Sequence, residues 1–180
     1  MRGALAGLAL LLAAPAHAEE VAEPEGYRHD GYRAPVPATL EGVTVIDDDA
    51  ALALWRTGRV AFIDVLPRPP KPKLPEGTIY RQKPRHSIPG AVWLPNVGYG
   101  RLADVTDSWF REGLAAATGG DADAPVVFFC LSDCWMSWNA AKRAREEYGY
   151  ARVFWYPDGT DGWTFMDYPT EPSEPKTMGE

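Results

Sequence analysis

The chain has 180 residues, 18 Lys and Arg against 25 Asp and Glu, and a formal net charge of −7. That acidic balance excludes a general nucleic-acid binder, which needs a basic face to displace counterions from phosphates. The length suits one compact domain; apolar residues at 46% supply a core, and 17 Pro with 17 Gly make the chain loop-rich without marking it as disordered.

Residues 1–18 carry one positive charge, Arg2, then a short apolar run that closes on Ala16-His17-Ala18 ahead of Glu19-Glu20. This is the pattern of a secretory signal peptide, with cleavage expected after Ala18. The run falls short of the ~20 residues a spanning helix needs. No second apolar stretch of that length follows, so a mature periplasmic chain without a membrane span is expected. Both cysteines stay in that mature chain, in an oxidising compartment.

Residues 19–40, rich in Pro, Glu, Gly and Tyr, predict an extended N-terminal arm pinned by Tyr27 and Tyr32. A folded domain is expected over 41–168 and a disordered tail over 169–180. Within the domain, a strand over 42–46 precedes Asp47-Asp48-Asp49, whose oxygens suit the cap of a helix over 50–56 that stops at Gly58. An apolar run over 60–65 reads as a buried strand. Residues 66–85 are Pro-rich and basic, and proline's missing N–H keeps them on the surface. Their cations are also suited to rim an anionic ligand.

A strand over 91–95, a helix over 108–117 ended by Gly119-Gly120, and a strand over 126–129 come next. A helix over 137–148 stopped by Gly149, a strand over 152–156 and a turn at Pro157-Asp158-Gly159 complete the pattern. Strands alternating with helices predict an α/β fold with a mainly parallel central sheet flanked by helices.

The chemistry concentrates between Phe129 and Arg143. Cys130 opens a tight loop between a buried strand and a helix. Loop amides and the helix N-terminus turn their N–H groups into one concavity there, a setting that favours an anion. A thiolate or persulfide at Cys130 is stabilised in that setting, so Cys130 is the expected nucleophile. Leu131, Ser132, Asp133, Trp135 and Met136 form the expected substrate-binding loop, with Cys134 as the second catalytic thiol. The loop holds no Lys or Arg, and the Asp133 carboxylate opposes the amides. The basic residues Arg81, Lys83 and Arg85 compensate only if their segment folds over the site.

The order of landmarks resembles rhodanese-like domains over roughly residues 40–166. They are Ile63-Asp64-Val65, then His86-Ser87-Ile88-Pro89-Gly90-Ala91, the Cys130 loop, and Asp161-Gly162-Trp163. The run over 134–143, with 155–163, more closely resembles the exported family of PQQ-dependent catabolism-associated CXXCW motif proteins. The spacing here is Cys-x3-Cys-Trp, one residue longer than that name. The resemblance implies a rhodanese fold and an association with quinoprotein alcohol oxidation. It also puts Cys130 at the sulfur-carrying position, with Asp64 and His86 at positions used for structure. A small sulfur donor or a protein thiol is the implied partner; no cofactor is expected.

Three readings of the cysteine pair stand open: a structural disulfide in a non-catalytic accessory module, sulfur transfer or thiol–disulfide exchange, and copper binding with His86 as third ligand. A thioredoxin-type site wants two residues between its cysteines, and a cysteine phosphatase wants Arg where Met136 stands. Of the seven tryptophans, Trp55, Trp93, Trp109 and Trp155 read as core. Trp135, Trp138 and Trp163 are expected around the mouth of the loop.

Overall fold

In a computed structural model of the chain, residues 21–70, 72–81 and 83–177 are described. The signal peptide expected over 1–18 and the end of the tail lie outside the described residues. A five-stranded sheet runs in the order β1 (Thr44–Val45), β6 (Val153–Tyr156), β5 (Val126–Phe129), β2 (Ala61–Asp64), β4 (Val92–Trp93), with every pairing parallel. Four helices flank it: α1 (Asp48–Arg56), α2 (Asp104–Thr118), α3 (Trp135–Glu146) and α4 (Gly159–Phe165).

The central strands are apolar except for Asp64 at the end of β2, because both sheet faces are covered. Alternation along each strand divides their side chains between two cores. Ile63, Val126, Phe128 and Trp155 pack in one core with Phe110 and Leu114 of α2 and Trp138 and Ala141 of α3. Phe62, Val127, Phe129 and Tyr156 pack in the other with Ala51 and Leu52 of α1 and Trp163 of α4. Asp47 caps α1 as its sequence suggests, accepting a hydrogen bond from the Ala50 N–H at 2.9 Å. None of the helices among the described residues is long and apolar enough to cross a membrane.

Several elements depart from the sequence-based expectation, α2 among them, which begins four residues early at Asp104. Helix α3 begins two residues earlier, at Trp135, which makes Cys134 its N-cap residue. The turn after β6 continues into α4, a seven-residue helix too short to display an apolar period. The tail, expected to be disordered over 169–180, instead forms β7 (Glu171–Ser173), antiparallel to β3 (Arg85–Ser87). The reason is tertiary: β3 offers an open edge, the Glu171 side chain accepts the Gly90 N–H at 2.8 Å, and the Lys176 N–H donates to Trp93 O at 2.9 Å.

The arm packs along the outer side of α3. Ten of that helix's twelve residues are buried, including Ser137, Asn139, Lys142 and Arg143. Buried polar groups need partners, and here they have them. Asn139 accepts the Arg28 N–H at 3.0 Å and donates to Arg28 O and Gly98 O, both at 2.9 Å. Arg143 donates to Val97 O at 3.3 Å and Gly100 O at 3.0 Å, and its guanidinium lies over the Tyr27 ring.

Candidate functional site

The cysteine loop hangs from the carboxyl end of β5, between α4 and the arm. On the α4 side, Cys130 O accepts the Thr160 N–H at 3.0 Å and the Thr160 hydroxyl at 3.2 Å. That approach requires Gly159, which has φ +53°; a Cβ there would meet Cys130 O at 2.5 Å. Gly98 plays the same part on the other side, since its Cβ would stand 2.2 Å from Met136 O. On the arm side, Arg33 bridges Cys134 in antiparallel register. The Ala34 N–H donates to Asp133 O at 3.1 Å, and the Trp135 N–H to Tyr32 O at 2.9 Å.

Both cysteines are thiols, 0% and 2% exposed for Cys130 and Cys134, and a hydrogen bond of 2.6 Å joins their sulfur atoms. The two environments differ. Burial pushes the Cys130 thiol well up, with the contact to Cys134 and the buried carboxylate of Asp64 adding to the effect. Cys134 is brought down to about 7 by its contact with the Cys130 sulfur, by the N–H groups of Met136 and Leu131, and by the charge of Arg33, against the opposing effect of burial. Of the two sulfurs, Cys134 is the one whose surroundings favour the charged form.

The sequence-based expectation placed the activated thiol at Cys130, whereas the surroundings of the pair raise Cys130 and lower Cys134. The amide setting exists, but it surrounds the helix N-cap, and that residue is Cys134. Part of it is also occupied within the protein: Ser132 donates its N–H and hydroxyl to Asp161 at 3.1 and 2.9 Å. Asp133 is exposed, with φ +51°. The carboxylate that bears on Cys130 is Asp64, fully buried at the end of β2. It accepts hydrogen bonds from Ser87 Oγ at 2.6 Å, Arg85 Nε at 2.9 Å and the Leu66 N–H at 2.9 Å. Burial raises its carboxyl above the usual range, against the pull of Arg85 and Ser87.

The remaining predicted residues divide. Leu131 is partly buried and lines a cleft of about 570 Å³ together with Lys83, Arg85, His86 and Trp93. The basic segment thus reaches the cysteine loop. Trp135, Trp138 and Met136 are core residues, and Trp163 packs against Trp55 and Tyr168 on the opposite face of the sheet. No tryptophan of that trio forms a mouth, because each indole N–H is committed to a backbone carbonyl, of Pro35, Thr39 and Pro169 respectively. His86 is exposed on β3, and no group of three His, Cys, Asp or Glu side chains suited to a metal forms among the described residues. The copper ligand set is therefore not assembled. Arg33 escaped sequence reasoning altogether, since nothing local marks one arm residue as the neighbour of a loop a hundred residues away.

A parallel sheet flanked on both faces, with a cysteine loop between its central strand and a helix, matches the rhodanese-like domain over residues 48–165. The chain belongs to that family. Among solved structures, a variant of EanB in complex with ergothioneine aligns at 21% identity over 73% of this chain and 32% of its own, with a TM-score of 0.50, a likeness of fold. Thiosulfate sulfurtransferase from Pseudomonas aeruginosa aligns at 16% identity over 77% of this chain and 22% of its own, with a TM-score of 0.49. The polysulfide-sulfur transferase homodimer from Wolinella succinogenes aligns at 18% identity over 74% and 81%, with a TM-score of 0.45. No curated protein matches this rhodanese-like chain.

Proposed function

We propose that this rhodanese-like protein performs sulfur transfer or thiol–disulfide exchange through Cys130 and Cys134, with a small sulfur donor or a protein thiol as its partner. One observation carries the reading: two thiols with sulfur atoms 2.6 Å apart at the end of the central strand, one of them brought down to about 7. A thiolate of the pair attacks a sulfur of the donor, whose leaving group departs with the bonding electrons, and the neighbouring thiol or an acceptor thiol then discharges the product. Leu131, Ser132 and Asp133 belong to the substrate-facing part of the loop in this reading. The working unit is the domain over 41–168 together with the arm.

The segment over 1–18 supports a periplasmic location. The resemblance of 134–143 and 155–163 to PQQ-dependent catabolism-associated CXXCW motif proteins supports a link to quinoprotein alcohol oxidation. The deep burial of both sulfurs favours one rival, an accessory module whose cysteines form a structural disulfide. Intact mass of the mature protein, taken before reduction, after reduction, and after reduction followed by thiosulfate, separates the two. Sulfur transfer predicts one sulfur atom gained, and none in the Cys130→Ser and Cys134→Ser double variant. Two hydrogens gained on reduction with no later sulfur uptake rules out sulfur transfer and leaves thiol–disulfide exchange or the accessory module.

A further inference from the structure

The cleft of about 570 Å³ lies over the carboxyl ends of β2, β4 and β5, bordered there by Leu66, Trp93 and Leu131. Open parallel sheets place their ligands at that end. Its volume is that of an organic ligand, far above a bare inorganic oxyanion. Leu66, Tyr80, Trp93 and Leu131 with three prolines make its walls apolar and aromatic. The charged residues are Lys83 and Arg85, with His86 beside them, and among the described residues none of those lining it is acidic. In a chain of net charge −7 that is a local inversion of sign. Arg85 is committed to Asp64 at 2.8 Å, which leaves the exposed Lys83 to meet a ligand charge.

We infer that this cleft binds an anionic organic disulfide, a carboxylate on an apolar or aromatic body, and presents its S–S bond to the Cys130/Cys134 pair. The inference rests on the thiol reading above and names the substrate class of that site. Leu131 connects the two places: its side chain borders the cleft, and its N–H is directed at the sulfurs. Both sulfurs are buried, and Leu131 is the loop residue that the cleft and the thiol pair share.

The chemistry balances without a further reagent. The Cys134 thiolate attacks one sulfur of the disulfide, the S–S bond breaks, and the first organic thiolate leaves with the electron pair. Cys130 then attacks the Cys134 sulfur of the mixed disulfide, and its proton goes to the second departing thiolate. The protein dithiol is oxidised to a disulfide, and one external disulfide is reduced to two thiols.

The test uses the reduced mature protein and two aromatic probes, the dianionic dithiobis-nitrobenzoate and the uncharged dithiodipyridine. Rates are referred to those of a small free thiol at the same pH and salt. The cleft predicts a preference for the anionic probe that falls about tenfold in Lys83→Glu, while the uncharged probe changes by less than about twofold. An anionic-to-neutral ratio that is the same in Lys83→Glu overturns the cleft and leaves the thiol pair standing. Failure of either probe to release two thiols per wild-type chain overturns the thiol reading and the cleft with it.

Discussion

The N-terminal arm and the Pro-rich segment over 66–85 look alike as sequence: each is about twenty residues, Pro-rich and without an apolar period. In the folded protein they behave differently. The arm is tied down along its length: Asn139 holds residue 28 by two hydrogen bonds, Trp135 donates to Tyr32 O and Pro35 O, and Trp138 donates to Thr39 O. The Pro-rich segment stays exposed over most of its length and meets the core at its end, where Arg85 reaches Asp64. What separates them is where their polar groups find fixed partners. An irregular segment becomes structural when its backbone groups are satisfied by an element that is itself rigid. The arm has α3 for that purpose.

The sharpest way to break this contrast is Arg85→Ala, which strands the fully buried Asp64 carboxylate. Leaving one member of a buried pair costs about 3–5 kcal/mol, read in urea unfolding at pH 7. The Asp64 pKa is already raised, and losing Arg85 raises it further. A raised carboxyl contributes stability that is present below the unfolded value near 3.8 and lost as pH rises through the folded one. The defect should therefore shrink as pH falls from 7 toward 4; a defect that grows on acidification would contradict the assigned role of Arg85.

Asn139→Ala comes next, because it removes both arm contacts at residue 28 and leaves Gly98 O without that donor. About 1–3 kcal/mol is expected, with protease cleavage appearing first within the arm. Cleavage appearing first within 66–85, with the arm intact, would reverse the comparison.

The smallest effect on stability belongs to Arg33→Gln, an exposed change expected to stay within about 0.5 kcal/mol. Its signature is chemical. Cys134 loses a positive neighbour, so the midpoint of its pH-dependent alkylation, expected near 7, moves upward while the unfolding midpoint stays put. An unmoved alkylation midpoint would remove Arg33 from the site.

Much of the architecture was legible because it follows from local periodicity. The run over 126–129 is apolar at every position, as a strand covered on both faces must be, and it matches β5 residue for residue. Helix α4 was not legible, since seven residues offer one buried aromatic, Trp163, and a turn-like Pro-Asp-Gly entry. At the site, the pair itself and the loop around it could be read from spacing. Which thiol is activated could not: that depends on the helix starting at Trp135, on Asp64 arriving behind Cys130, and on an arm residue arriving beside Cys134.

The sequence alone therefore determined the alternation of strands and helices, the cysteine pair at the end of the central strand, and the surface position of the proline-rich run, because each depends on residues near one another in the chain. The tertiary structure decided that the arm clasps α3, that the tail pairs with β3, that Trp135, Trp138 and Trp163 face the cores, and that the surroundings of the two thiols differ. Those outcomes depend on burial and on electrostatic neighbours a hundred residues apart in sequence, and both are properties of the packed molecule.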